Sequence, residues 1–274
     1  MARPTRKCAL CLETKLLEWS HFLPSGLYDY CRGENGGEPI KATFNVVFST
    51  SRQTAAYLLC GDCEDVINEG GESWMLPKLA QWSGPFPLYD LVTAGPYVDA
   101  GEGSKCYLGV QNSNINCQKI THFAIGIYFK AAVHSWSGSQ SEPRINLGPY
   151  SEEVRKYLLG GPFAANMSLV VTLSPREDAY IGFNEPYEAV RELTHRLFMF
   201  CIPGMWFCLM VGKLLPEEAR GVSITAPDGA IIVSSEIGKK GQTLAIKALR
   251  KGRKTKSYIQ AMQKVWEWKK RPRG

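Results

Sequence analysis

No stretch of this chain stays apolar for the roughly 20 residues that a membrane-crossing helix requires. The nearest candidate, Leu197 to Gly212 (LFMFCIPGMWFCLMVG), is shorter and carries Pro203-Gly204 at its middle. Residues with β preference flank that pair, so the run reads as two buried strands joined by a tight turn, and no membrane partner is expected. An apolar leader is also missing: Met1 to Lys7 (MARPTRK) runs straight into the first cysteine pair. The expectation is a cytoplasmic, reducing setting, where CxxC pairs serve as metal ligands or redox pairs more often than as disulfides. Internal repeats and low-complexity segments are lacking, which excludes repeat arrays and linker-like chains.

What is present is ordinary for a globular protein. The 274 residues are 45% apolar and 21% charged, enough for one large domain or two moderate ones. Charge is unevenly spread. From Lys239 onward, thirteen Lys or Arg face one acid, Glu267, so this segment carries +12 and residues 1–238 carry −6 of the total +6. A clustered basic segment is the usual footprint of a polyanion.

Two CxxC pairs stand out among nine cysteines: Cys8-Ala-Leu-Cys11 and Cys60-Gly-Asp-Cys63. Each pair can place two thiolates on one ion, and together they close the four-coordinate shell of a structural zinc. Four thiolates leave no open position for water, so this zinc is not expected to be catalytic. Cys31, Cys106, Cys117, Cys201 and Cys208 have no ligand spacing, and the last two read as core residues of the apolar hairpin.

Periodicity gives a coarse map. Ala42 to Phe48 alternates like a strand and precedes Cys60, which leads into a helix. Thr121 to Trp136 reads as a buried helix, and Ser151 as the N-cap of another that stops at Gly160-Gly161. Met167 to Leu173 and Ala230 to Ser234 read as strands. Thr255 to Lys270 reads as a basic amphipathic helix with Tyr258, Met262, Val265, Trp266 and Trp268 among its lysines. Its aromatics either stack on bases or form a core-facing stripe, and both readings stay open. His122, His134 and His195 read as structural.

Between the cysteine pairs lie Ser20-His21-Phe22-Leu23-Pro24 and Leu58-Leu59-Cys60, with Glu64 directly after Cys63. The order CxxC, His-x-x-Pro, Leu-Cys-x-x-Cys resembles the zinc-bearing HNH endonucleases, over about the first quarter of the chain. More loosely, the whole chain is similar to bacterial proteins labelled HNH endonuclease-like. The resemblance implies an α+β fold. It places a treble-clef zinc module of ββα-metal type over residues 1–76. Pro77 and Gly84-Pro85-Phe86-Pro87 mark the exit from that unit. A larger mixed α/β domain of unknown fold follows over 77–238, and the charge count sets off a basic helical tail over 239–274. The resemblance also implies hydrolysis of phosphodiester bonds in DNA or RNA, and a place in bacterial defence. His21 would be the general base, Glu64 a ligand to a catalytic magnesium or manganese ion, and Arg32, Arg52, Arg250, Lys251, Arg253, Lys254 and Lys256 the phosphate contacts.

The sequence departs from the motif at three places. Ser20 precedes the base where the family has an acid or histidine. Arg52, Gln53 and Thr54 occupy the neighbourhood of the central Asn, and Glu64 replaces the last His or Asn. The alternative expectation is therefore a zinc module without catalysis that binds nucleic acid or a protein. A third expectation, separate from both, makes the large C-terminal domain a sensor or partner-docking unit that controls the zinc module, with the central domain as the contact for a protein partner or a homo-oligomer.

Overall fold

The computed structural model describes residues 2–31, 38–42, 46–50, 53–81, 84–136, 145–179 and 181–269. The Gly33–Gly37 loop, Arg32 and Arg52 lie outside the described residues, as do the side chains of Trp266 and Trp268. The fold is mixed α+β with three sheets.

The first 76 residues hold β1 (Thr5–Lys7), β2 (Thr14–His21), α1 (Gly26–Tyr30), β3 (Ile40–Ala42), β4 (Val46–Ser49), β5 (Ala55–Cys60), α2 (Gly61–Ile67) and α3 (Ser73–Met75). A π-helical segment, Asn68–Glu72, joins α2 to α3. Strands β1, β2 and β5 form one antiparallel sheet. The single strand expected over Ala42 to Phe48 is two antiparallel strands, because Ile40–Ala42 turns back on Val47–Ser49. Alternation alone does not reveal where a strand reverses.

The middle of the chain adds α4 (Pro87–Thr93), β6 (Tyr97–Gly101), β7 (Ser104–Leu108), α5 (Cys117–Val133), α6 (Tyr150–Leu158), β8 (Met167–Leu173), β9 (Asn184–Arg191), β10 (His195–Ile202), β11 (Met205–Gly212), α7 (Glu217–Gly221) and β12 (Ala230–Val233). These strands make a seven-stranded sheet in the order β6-β7-β12-β8-β11-β10-β9. Only the β12–β8 pair among them is parallel.

The apolar run is the β10–β11 hairpin, turned at Pro203-Gly204 in full register from Ile202↔Met205 to His195↔Gly212. It is apolar at consecutive positions because it is covered on both faces. Phe198, Phe200 and Phe207 join the main core, where Phe200 and Phe207 stack at 4.7 Å. Met199, Cys201 and Trp206 face the other side, with Cys208 and Ile237 partly buried against them. Among the described residues no helix is long and apolar enough to cross a membrane.

Helix α5 lies between this sheet and the N-terminal unit, so most of its circumference is buried. It begins at Cys117, earlier than periodicity suggests, because Asn116 caps it by accepting the Lys119 N–H at 2.9 Å. The Tyr128 hydroxyl lies 2.9 Å from the carbonyls of Phe198 and Phe207 and accepts the Leu209 N–H at 3.2 Å, tying α5 to the hairpin. On its opposite side α5 meets the π-helical segment. A Cβ on Gly71 would sit 2.5 Å from the Phe123 nitrogen, so only glycine permits that approach. One apolar core runs from Cys8 to Val233, across the short 3-10 turn Leu76–Lys78. Helix α6 starts after Pro149, whose fixed φ suits a helix entry, rather than after Ser151.

The last segment is α8 (Ser235–Lys251), β13 (Arg253–Lys254) and α9 (Lys256–Lys269). The basic tail is thus two helices with a strand between them, and that strand pairs in parallel with β4.

Candidate metal centre and basic surface

Cys8 and Cys11 lie on the turn between β1 and β2. Leu12 at φ 67° closes it, with its N–H donated to the Cys8 carbonyl at 3.0 Å. Cys8 N–H reaches Glu13 O at 2.8 Å, and Ala9 N–H reaches Leu58 O at 3.1 Å, which fastens the turn to β5. Cys60 ends β5 in extended conformation, and Cys63 sits in the first turn of α2. The four Sγ atoms come within 4.8 Å of one another, a group that can hold a metal ion such as zinc.

Electrostatics at the site follow from crowding. Cys8 is buried, which raises a thiol pKa, but N–H groups of Cys60, Cys11 and Leu10 point at its sulfur and bring it below the ordinary value. The Cys60 N–H lies 3.3 Å from Cys8 Sγ. Burial and the neighbouring cysteines push Cys63 up. Four thiols this close cannot all ionise without a cation among them, whereas a bound divalent ion makes all four thiolates favourable.

An ion pair from outside the motif buttresses the site. Arg155 on α6 donates to the Leu10 carbonyl at 2.9 Å, and Glu152 grips the same guanidinium through both carboxylate oxygens at 2.7 and 2.8 Å. Nothing in the CxxC spacing points to Arg155.

His21 and Glu64 are not brought together with a third ligand. Among the described residues, the four cysteines are the only group of three or more His, Cys, Asp or Glu placed to share an ion. The β2–β5 register explains why. His21 lies opposite Ala55, and Leu17 lies opposite Cys60. About 17 Å of strand therefore separates His21 from the turn into α2. Side chains alternate, so His21 shares the face of exposed Trp19, while Ser20 points inward with its hydroxyl accepting the Leu59 N–H at 3.1 Å. Glu64 stands one turn into α2, where its Oε1 is buried and makes no hydrogen bond.

Near α2, the π-helical segment turns Glu72 toward α5, where it pairs with Lys130 at 3.2 Å. The Lys130 side chain is 2% exposed and that of Glu72 15%. A lysine inside a run that reads as a buried helix was the available signal for such a partner. His122 and His134 sit in packed surroundings, where burial holds both below the ordinary histidine pKa. His134 stands edge-on to Trp136 at 4.9 Å, and Trp136 stacks on Phe22 at 4.8 Å. His195 contacts the Thr194 hydroxyl at 3.0 Å.

The basic residues of the tail form a surface. Arg250, Lys251, Arg253, Lys254 and Lys256 are all exposed, and none is ion-paired with another described residue. Their backbone is held against β4. Thr255 N–H and Oγ1 both donate to Val47 O, at 3.0 and 3.1 Å, and Ser49 N–H donates to Ser257 Oγ at 3.2 Å. No protein-family model matches the chain, and comparisons with curated proteins and with solved structures found no match.

Proposed function

We propose that this chain is a zinc-stabilised nucleic-acid-binding protein. Its four cysteines hold one zinc ion in a treble-clef arrangement: a CxxC turn, a hairpin, then a helix carrying the last ligands in its first turn. Zinc–thiolate bonds of about 2.3 Å in a tetrahedron separate sulfurs by about 3.8 Å. Cys11 and Cys60 Sγ lie 3.9 Å apart. The ion clamps the β1–β2 turn to α2 and does no chemistry itself.

The observation that carries the reading is the docking of Arg253 and Lys254 as a strand on β4. It fixes a cluster of cations, none ion-paired with a described residue, on an edge of the β13-β4-β3 sheet rather than leaving them on a free tail. Such an edge meets phosphates, and binding to it releases counterions. The test is fluorescence anisotropy with labelled DNA and RNA across a salt series. Affinity should fall linearly in log salt, and Arg253→Ala/Lys254→Ala should reduce the slope by about two. Salt-independent binding, or an unchanged slope in the double variant, would sink the proposal.

A hydrolytic reading retains one favourable observation, the buried and unpartnered Glu64 Oε1, which is suited to a hard divalent cation. It requires His21 as base and a magnesium or manganese ion on Glu64. Cleavage of plasmid and single-stranded substrates by the wild type, lost in both His21→Ala and Glu64→Ala, would establish it. Equal activity in wild type and variants would remove it.

A further inference from the structure

Trp19 on β2 is 55% exposed, unusual for the largest side chain in the middle of a strand. Its cross-strand partner is Tyr57 on β5, and the two rings meet edge to face at 4.8 Å and 72°. That contact fixes the orientation of the indole and still leaves over half of the residue open. Leu16, also exposed, extends the same strand, and the β1–β2 register puts Thr5 and Lys7 on its face. The edge strand β1 exposes Arg6 and Lys7, neither ion-paired with a described residue. At the other end of the ladder, past His21 and Ala55, the chain enters the insertion that carries β4 and its docked basic strand. Five residues separate Ser49 from Ala55, a reach of about 20 Å at most.

We propose that the Trp19–Tyr57 face stacks unpaired bases of single-stranded nucleic acid. This rests on the nucleic-acid reading above and narrows it to a substrate class. A braced, exposed aromatic with cations on the neighbouring edge strand β1, and a second cationic edge on the β13-β4-β3 sheet a short span of chain away, is the arrangement by which proteins hold single strands without reading sequence. Duplex bases are already stacked on one another and offer no face to Trp19.

The test compares a fluorescein-labelled oligothymidylate with a duplex of equal length at fixed salt. The proteins are the wild type, Trp19→Ala, Trp19→Phe and Arg253→Ala/Lys254→Ala, each checked for one bound zinc. Trp19→Ala should weaken oligothymidylate binding by at least about fivefold and leave duplex binding unchanged, while Trp19→Phe retains most of the affinity. Wild-type affinity in Trp19→Ala, or equal loss on both ligands, overturns the stacking site. If the Arg253→Ala/Lys254→Ala protein is still weakened in that case, the wider nucleic-acid reading survives alone. A wild type that binds neither ligand overturns both. A change of sedimentation in Trp19→Ala with oligothymidylate affinity intact makes the face a protein contact and overturns the proposal too.

Discussion

Arg155 and Leu10 lie 145 residues apart in sequence and 2.9 Å apart in space, joined guanidinium to carbonyl. The carbonyl belongs to the turn between Cys8 and Cys11, so the middle of the chain fastens that cysteine turn from outside. The guanidinium donates a charge-assisted bond in a half-buried setting, worth about 1.5–3 kcal/mol. Arg155→Ala should destabilise the protein by roughly that amount and speed zinc loss to a chelator, followed by a colorimetric zinc dye. Arg155→Lys, which cannot serve Leu10 and Glu152 as a fork, should recover only part of the loss. Unaltered release in Arg155→Ala would show that the turn does not depend on this support.

Metal content is the most direct check on the four cysteines. Elemental analysis should give one zinc per chain in the wild type and in Cys208→Ser, and none in Cys60→Ser. Stripping the metal should melt the N-terminal sheet before the seven-stranded one, seen as early amide exchange in β2 and β5. A metal-free protein with the wild-type melting profile would contradict the site.

Lys130 and Glu72 form a buried pair, and removing one partner strands the other. Lys130→Ala should cost about 3–5 kcal/mol in denaturant unfolding. Replacing both, as Lys130→Met with Glu72→Leu, should cost much less, since neither charge is then left unpaired. Equal losses in the single and double variants would mean that packing, not charge, dominates at this contact.

Acid should weaken the outer edge of the seven-stranded sheet. Hydrogen bonds from Arg191 and Arg196 hold the Glu188 carboxyl down to about 2, from an ordinary 4.5. A carboxyl depressed on folding adds stability above its unfolded pKa and gives it up as pH falls through the folded one. The contribution should therefore fade between about pH 4.5 and 2. Unfolding free energies of Glu188→Gln and wild type should converge over that window and differ above it. A constant gap would show that the arginines act on something else.

Much of this architecture can be read from particular residues. Pro203-Gly204 between apolar strands announces its hairpin, and the two CxxC pairs announce their cluster, because both rest on local spacing. What spacing cannot carry is partnership between distant segments. Arg253-Lys254 has neither alternation nor β preference and becomes a strand only because β4 is there to receive it. Lys130 looks like a stray charge until the π-helical turn delivers Glu72. His21 and Glu64 follow the order of a familiar motif, yet the motif does not say that His21 pairs with Ala55, five residues before Cys60, an offset set by the β2–β5 register.

The pairing of β13 with β4 also sets an order of events. Val47 and Thr255 are 208 residues apart, so on the ribosome the hairpin emerges long before the strand that completes its sheet. Closing so long a loop is slow and has to be offset by contacts made late. A chain interrupted during synthesis could gather its four cysteines yet would lack the cationic edge. Assembly of that edge thus waits until translation has passed β13.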